Sequence, residues 1–263
     1  MKKFIADIKK FKGFALYSAR SELKAEVAGS FLSWLWWFLD PLLYMLVYTF
    51  VAKFVFGSTV KYFPVFVFIG LNCWTFFSKT VKSSVRLVAS NKNIVTKVYV
   101  PKYIFIMEKI GAYGFKMMVS FLLTILFMVF YQVPVSYRVL WMIPLWMILI
   151  IVSFAISTIV MHFGVFIEDL SNVITVVLQL VFYLSGIFFS IQERILPKSE
   201  LIGNLLLYGN PISLIMTDMR NVLLYKENPH FLALLAWTGA ALIVSMIGIK
   251  VIYKYENSYV KII

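Results

Sequence analysis

VLWMIPLWMILIIVSFAISTIVMHFGVFI, residues 139–167, runs for twenty-nine residues without a Lys, Arg, Asp or Glu. About 20 apolar residues at ~1.5 Å rise cross the ~30 Å hydrocarbon core of a bilayer, so this stretch is long enough to span one as a helix. Residues 117–137, 170–192 and 231–249 are equally free of charge. Residues 31–52 are interrupted only by Asp40, and 62–78 form a shorter run of the same character. With 62% hydrophobic and 14% charged residues, the chain departs from soluble domains, which average about 25% charged. The expected fold class is an all-α polytopic membrane protein with six transmembrane helices.

Six spans leave room for an N-terminal segment, loops and a tail, so residues 1–263 read as a single transmembrane domain without a soluble catalytic unit. The lone Cys73 rules out a disulfide framework and a cysteine-built metal site. His162 and His230 have no Cys, Glu or His at zinc-ligand spacing. The early lysines are not followed by a short apolar core ending in small residues, so no cleaved signal peptide is expected. No G-x-x-x-x-G-K-[ST] occurs, and Gly111 and Gly114 open no phosphate loop, so this chain is expected to hold no cofactor. A membrane enzyme would need acids and histidines converging at one membrane face. Asp40, Glu108, Glu168, Asp169 and His162 are the candidates, and His162 and Glu168 lie six apart, off a shared helical face. No repeated polar filter suggests a passive channel.

The net charge of +13 is concentrated. Lys2, Lys3, Lys9, Lys10, Lys12, Arg20 and Lys24 precede the first span. Lys79, Lys82, Arg86, Lys92, Lys97, Lys102 and Lys109 follow the second, and Lys250, Lys254 and Lys261 the last. Six helices put all three groups on one side, which the positive-inside rule makes cytoplasmic, together with both termini. The acidic turn Glu168-Asp169 does not reverse this, because acidic residues carry little weight in the rule. The basicity therefore points to a membrane rather than to nucleic acid. The opposite side holds links near 57–61 and 133–138 and the longer 192–228 connection.

Within residues 1–24, Phe4, Ile8, Phe11 and Ala15 recur at helical spacing, with lysines flanking or opposing them. This predicts an amphipathic helix in the membrane interface. Asp40 and Pro41 fall near the middle of the first span. An acid there should not face lipid, and Asp-Pro can cap a second half-helix in a kinked span. A polar point on a pathway and a locally satisfied kink are both consistent with that pair. Trp34, Trp36, Trp37, Phe38, Tyr44, Tyr48 and Phe50 crowd the same span, and Phe182, Tyr183, Phe188 and Phe189 form a second cluster. Such rings serve interfacial belts and packing, and their faces also stack on sugars. Residues 83–102 are basic yet carry Val85, Leu87, Val88, Ile94, Val95 and Val98, a pattern suited to a short helix docking on another protein. In 196–226, Gly203, Gly209 and Asn210-Pro211 divide the chain into two helices near 198–208 and 212–225. Both are too short to span and read as re-entrant or surface helices.

In order and spacing these features resemble the permease subunits of ABC-2 type exporters of lipid-linked polysaccharides, namely O-antigens, capsules and teichoic acids. The resemblance covers essentially the whole chain. It rests on the amphipathic N-terminal helix leading to Trp34 and Asp40-Pro41-Leu42-Leu43, and on Asn93, Lys97 and Pro101. Phe166-Ile167-Glu168-Asp169-Leu170, and Asn210-Pro211 with Arg220, complete it. The chain departs from the family at Glu168, where Arg-Asp is frequent, so an ion pair from that Arg is not carried over. The resemblance implies a homodimer in a bacterial inner (plasma) membrane, with two copies of a separate ATPase that hold ATP and Mg. It implies that Trp34, Trp37, Phe38, Asp40, Tyr44, Tyr48, Phe182, Tyr183 and Phe189 line a glycan pathway. By the same resemblance Arg86, Asn91, Lys92, Asn93, Ile94 and Lys97 couple to the ATPase, and Asn210, Pro211, Asp218 and Arg220 shape an outer gate. The basic rim would meet the pyrophosphate of an undecaprenyl-type carrier. An ABC-2 permease for drugs or lipids is the neighbouring alternative.

Overall fold

The computed structural model describes residues 2–28, 32–55, 57 and 60–262. Met1 of the N-terminal segment, Phe31 at the start of the first expected span, and Ser58 and Thr59 of the 57–61 link lie outside them. Among the described residues the chain is helical, without strands: α1 (Lys2–Ala28), α2 (Trp36–Phe50), α3 (Phe63–Val85), α4 (Leu87–Ser90), α5 (Lys92–Val95), α6 (Tyr103–Phe130), α7 (Met142–Phe166), α8 (Leu170–Leu184), α9 (Ile191–Arg194), α10 (Glu200–Tyr208), α11 (Pro211–Arg220) and α12 (Phe231–Ile262). A 3₁₀ turn (Ser33–Leu35) leads into α2, and π turns (Val51–Val55 and Asn221–Tyr225) extend α2 and α11.

α3 is the hub. Of its most apolar stretch 83% is buried inside the protein, against 11% for the α2 stretch. α3 is therefore mostly enclosed by protein, apart from an exposed strip at Thr75, Lys79 and Lys82, while α2 presents most of its surface outward. Its polar side chains turn back on their own helix: Thr80 Oγ1 donates to the Phe76 carbonyl and Ser84 Oγ to that of Thr80, both at 2.7 Å. Where helices cross, glycine sets the spacing. A Cβ on Gly164 of α7 would overlap the Val85 carbonyl at the end of α3, and one on Gly248 of α12 would overlap Thr158 of α7. Close approach at small residues is how helices pack where lipid supplies no hydrophobic drive.

Contacts fix the directions. Gly114 faces Phe76 and Phe127 packs on Phe68, so α6 runs antiparallel to α3. Trp141 packs on Phe231 and Thr158 on Gly248, so α7 and α12 advance together. Phe182 packs on Trp74 and Ile187 on Gly70, which makes α8 antiparallel to α3 as well. The basic N-terminal segment, the stretch after α3 and the end of α12 gather at one end of the molecule. There Tyr253 donates to Asp7 at 2.6 Å and Tyr99 to Glu256 at 3.2 Å.

Among the described residues, five helical stretches reach spanning length, of the six expected. The expected fifth span, 170–192, holds α8 of 15 residues, roughly 22 Å at 1.5 Å per residue. It stops because Ser185 and Gly186 turn the chain, with Gly186 at φ +66°. Part of the α1 stripe meets protein: Phe4, Phe11 and Ala15, with Phe14, are half-buried against a core that includes Tyr103, Phe105 and Tyr259. Lastly, α2 continues through Asp40-Pro41 from Trp36, with Leu35 at its N-cap, so Asp40 caps no second half-helix. Pro41 omits only the bond its amide would give to the Trp37 carbonyl.

Candidate functional site

The outward flank of α2, α3 and α8 carries a furrow. One cavity of about 550 Å³ is lined by Tyr44, Tyr48, Trp74, Phe182 and Tyr183, with Lys79 and Lys82 toward the basic end. A second of about 360 Å³ shares Tyr44, Leu71, Thr75 and Lys79 and continues to Asp40, Trp36 and Trp37. The rings form a ladder. Tyr44 and Tyr48 stack at 6.2 Å and 18°; Tyr48 lies 4.0 Å from Phe188 and 6.4 Å from Phe182, and Phe182 lies 5.5 Å from Trp74. Tyr44 and Tyr183 are each 58% exposed, so much of each ring is open.

The two aromatic clusters, some 140 residues apart, thus meet through Tyr44, Tyr48, Phe182 and Tyr183, with Asp40 beside them. Other members of the expected pathway stand apart. Trp34 and Phe38 contact each other edge to face at 6.2 Å. Trp37 lines the second cavity, but its indole N–H donates to Glu26 at 3.3 Å and its ring meets Phe115 and Lys116. Phe189 packs partly buried against the core. Trp74 and Asn72 were missed by sequence reasoning, and Lys79 and Lys82 were read only as part of the basic rim. They lie in or beside a uniformly apolar run, and only packing shows that this face of α3 turns to α2 and α8.

Of the residues expected to couple to a partner, Arg86, Lys92, Asn93 and Lys97 are exposed around the bend between α4 and α5, and Ile94 is half-buried. Asn91 holds the bend, its side-chain amide donating to the Leu87 carbonyl at 2.9 Å. Val85, Leu87, Val88 and Val95, which the sequence offered to a partner, are buried in the chain's own core. The segment ends on Lys102, which is buried, donates to the Val100 carbonyl at 3.2 Å and lies 3.9 Å from Glu256. Burial lowers its pKa, and Glu256 opposes that shift. Tyr99 moves up, through burial first and then Glu256.

Asn210, Pro211, Asp218 and Arg220 are joints between elements. Asn210 caps α11 by accepting from the Ile212 amide at 3.0 Å, and donates to Ser185 Oγ at 2.8 Å. Pro211 occupies the first turn of α11, where its missing N–H costs nothing. Arg220, only 4% exposed, donates from Nε to the Phe66 carbonyl at 3.1 Å, from Nη1 to Gly186 at 2.8 Å and from Nη2 to Ile187 at 3.0 Å. Its guanidinium lies 3.5 Å from the centre of the Phe66 ring. A Cβ on Gly70 would overlap that guanidinium, so the glycine makes the seat. Asp218, fully buried, accepts from the His230 amide at 3.1 Å and from His230 Nδ1 at 2.6 Å, tying α11 to the start of α12. That hydrogen bond raises the His230 pKa against the opposing effect of burial.

No protein-family model matches the chain. It is 25% identical over 244 residues to the O-antigen export system permease protein RfbA of Myxococcus xanthus, an alignment covering 92% of each chain. It is 24% identical, with the same coverage, to a protein of that name from Klebsiella pneumoniae. The similarity extends along nearly the whole chain, and the resemblance read from motif order is borne out. With five apolar helices of spanning length and permease relatives, the chain is a multi-pass membrane protein.

Proposed function

We propose that this chain is the transmembrane, non-enzymatic subunit of an ATP-driven exporter. It moves lipid-linked polysaccharide of O-antigen or teichoic-acid type from the cytoplasmic to the outer side of the bacterial inner (plasma) membrane. The observation that carries this reading is the end-to-end similarity to O-antigen export permeases. The open aromatic furrow supports it, since ring faces stack on sugars without demanding one sugar identity.

Residues 1–263 act as one domain that crosses the membrane six times. α8 makes the fifth crossing together with the short α9–α11 segment, whose re-entrant helices complete its outer part. The helix directions support this, because α2, α6 and α8 run against α3, α7 and α12. Both termini are then cytoplasmic, with the basic end facing the cytoplasm. There the lysines attract a carrier pyrophosphate, and α1 lies near the interface.

Two copies of the chain place their furrows around one pathway, and two copies of a separate ATPase bind at Arg86, Asn91, Lys92, Asn93, Ile94 and Lys97. ATP and Mg belong to that partner, and no nucleic acid is involved. Steps of the ATPase move the glycan past Trp34, Trp37, Phe38, Asp40, Tyr44, Tyr48, Phe182, Tyr183 and Phe189. Asn210, Pro211, Asp218 and Arg220 hold the outer gate in shape.

Depletion of the protein in its host, followed by leaflet-resolved assay of lipid-linked glycan, tests the reading. Finished glycan accumulating on the cytoplasmic side is the expected result. Normal glycan at the surface would refute it. Tyr44→Ala with Tyr48→Ala tests the furrow, and unchanged export would remove the aromatics from the pathway.

A further inference from the structure

The smaller cavity lies within one subunit, between α2, α3, α6 and the end of α1. Its chemistry differs from that of the aromatic furrow. Asn72, only 5% exposed, lines it with an amide nitrogen that finds no acceptor among the described residues, and the Ser120 hydroxyl on the opposite wall finds no partner among them either. Buried polar atoms are ordinarily satisfied, so two orphans on one cavity indicate a polar occupant. Two charged side chains at its mouth, Asp40 on α2 and Lys79 on α3, have no ion-pair or hydrogen-bond partner among the described residues. An unpaired charge inside an apolar span, as Asp40 is, is costly and marks function by default.

The charge balance selects the occupant. Glu26 and Lys116 satisfy each other at 2.6 Å, which leaves one free carboxylate and one free ammonium. A phosphate or pyrophosphate approaching Lys79 would meet Asp40 across the same space. A neutral polyhydroxyl compound suits both: its hydroxyls donate to Asp40 and accept from Asn72, Ser120 and Lys79. Trp36 and Tyr44, both exposed at the rim, offer faces for the apolar side of a sugar ring. We infer that this cavity is a binding site for a neutral sugar residue, in which Asp40 and Asn72 read hydroxyls. The inference rests on the export reading for its biological meaning, and it places a sugar-specific contact inside each subunit, adjoining the open ladder at Tyr44.

The test uses the full chain in lipid nanodiscs. Tryptophan fluorescence and saturation-transfer NMR are recorded with neutral hexoses, N-acetylhexosamines and inorganic pyrophosphate as probes. Neutral sugars should bind. Asp40→Asn, a near-isosteric change at an exposed position, should weaken them about 10-fold or more, as loss of a charged hydrogen-bond partner does. Asn72→Ala, once shown to fold by its melting profile, should do the same. Sugar binding indifferent to both substitutions would overturn the site. So would pyrophosphate binding that Asp40→Asn strengthens, which would make it an anion site. Absence of sugar binding, while depletion of the protein still traps glycan inside the cell, would overturn the site and leave export standing. Sugar binding that needs Asp40, together with normal surface glycan on depletion, would support the site and refute export instead.

Discussion

Removing the Arg220 guanidinium should loosen the joint between α3, the turn after α8, and α11, and Gly70 provides a check on the cause. Arg220→Ala strips donors from the carbonyls of Phe66, Gly186 and Ile187. At the low end of the penalty for an orphaned buried group, about 1 kcal/mol each, that is about 3 kcal/mol. The desolvated contact with Phe66 adds about 2 kcal/mol. Release of the cation from its own buried position returns part of this, so a net loss of about 3 kcal/mol is expected. For a chain of this size it lowers the melting temperature by roughly 6–12 °C. Gly70→Ala should destabilise the parent, because the new Cβ displaces the guanidinium. In the Arg220→Ala background the same change should become neutral or stabilising by up to about 1 kcal/mol, since alanine is the better helix former. Melting profiles of the four proteins of this cycle in one detergent decide the matter. Additive losses, or an Arg220→Ala protein as stable as the parent, would refute the clamp.

Other substitutions probe separate joints. The His230–Asp218 bond raises the imidazole pKa above its ordinary 6.5; its stabilisation is therefore complete below pH 6.5 and fades as pH climbs through the raised value. Melting temperature should fall over that window in the parent, and His230→Gln should remove that part of the pH dependence. Lys116→Ala, which opens a partly exposed pair with Glu26 at 2.6 Å, should cost no more than about 1 kcal/mol, read as a melting shift of a few degrees. Gly248→Val should push α12 off Thr158 and lower stability by about 1–3 kcal/mol or more. The same substitution at Gly239, where a Cβ meets open space, should cost far less.

Class and helix placement were legible in the sequence because they are local. A charge-free run either reaches spanning length or does not, and Asn210-Pro211 ends one short helix and starts the next. Helices at 200–208 and 211–225 accordingly fall close to where punctuation put them. The grouping of basic segments at one end was legible too, from the placement of the lysines beside the ends of the apolar runs. Facing was not. α7 and the first half of α3 are apolar nearly all round, and in lipid an inward side need be no more hydrophobic than an outward one, so periodicity carries little information. Only tertiary packing decided that Trp74 and Asn72 turn toward α2, and that the α1 stripe meets α6 and α12. It also decided that Arg220 points inward onto three carbonyls. The length of α8 was set in the same way. Within its apolar run Gly186 allows a stop after Leu184, and the seat its carbonyl finds on Arg220 decides it.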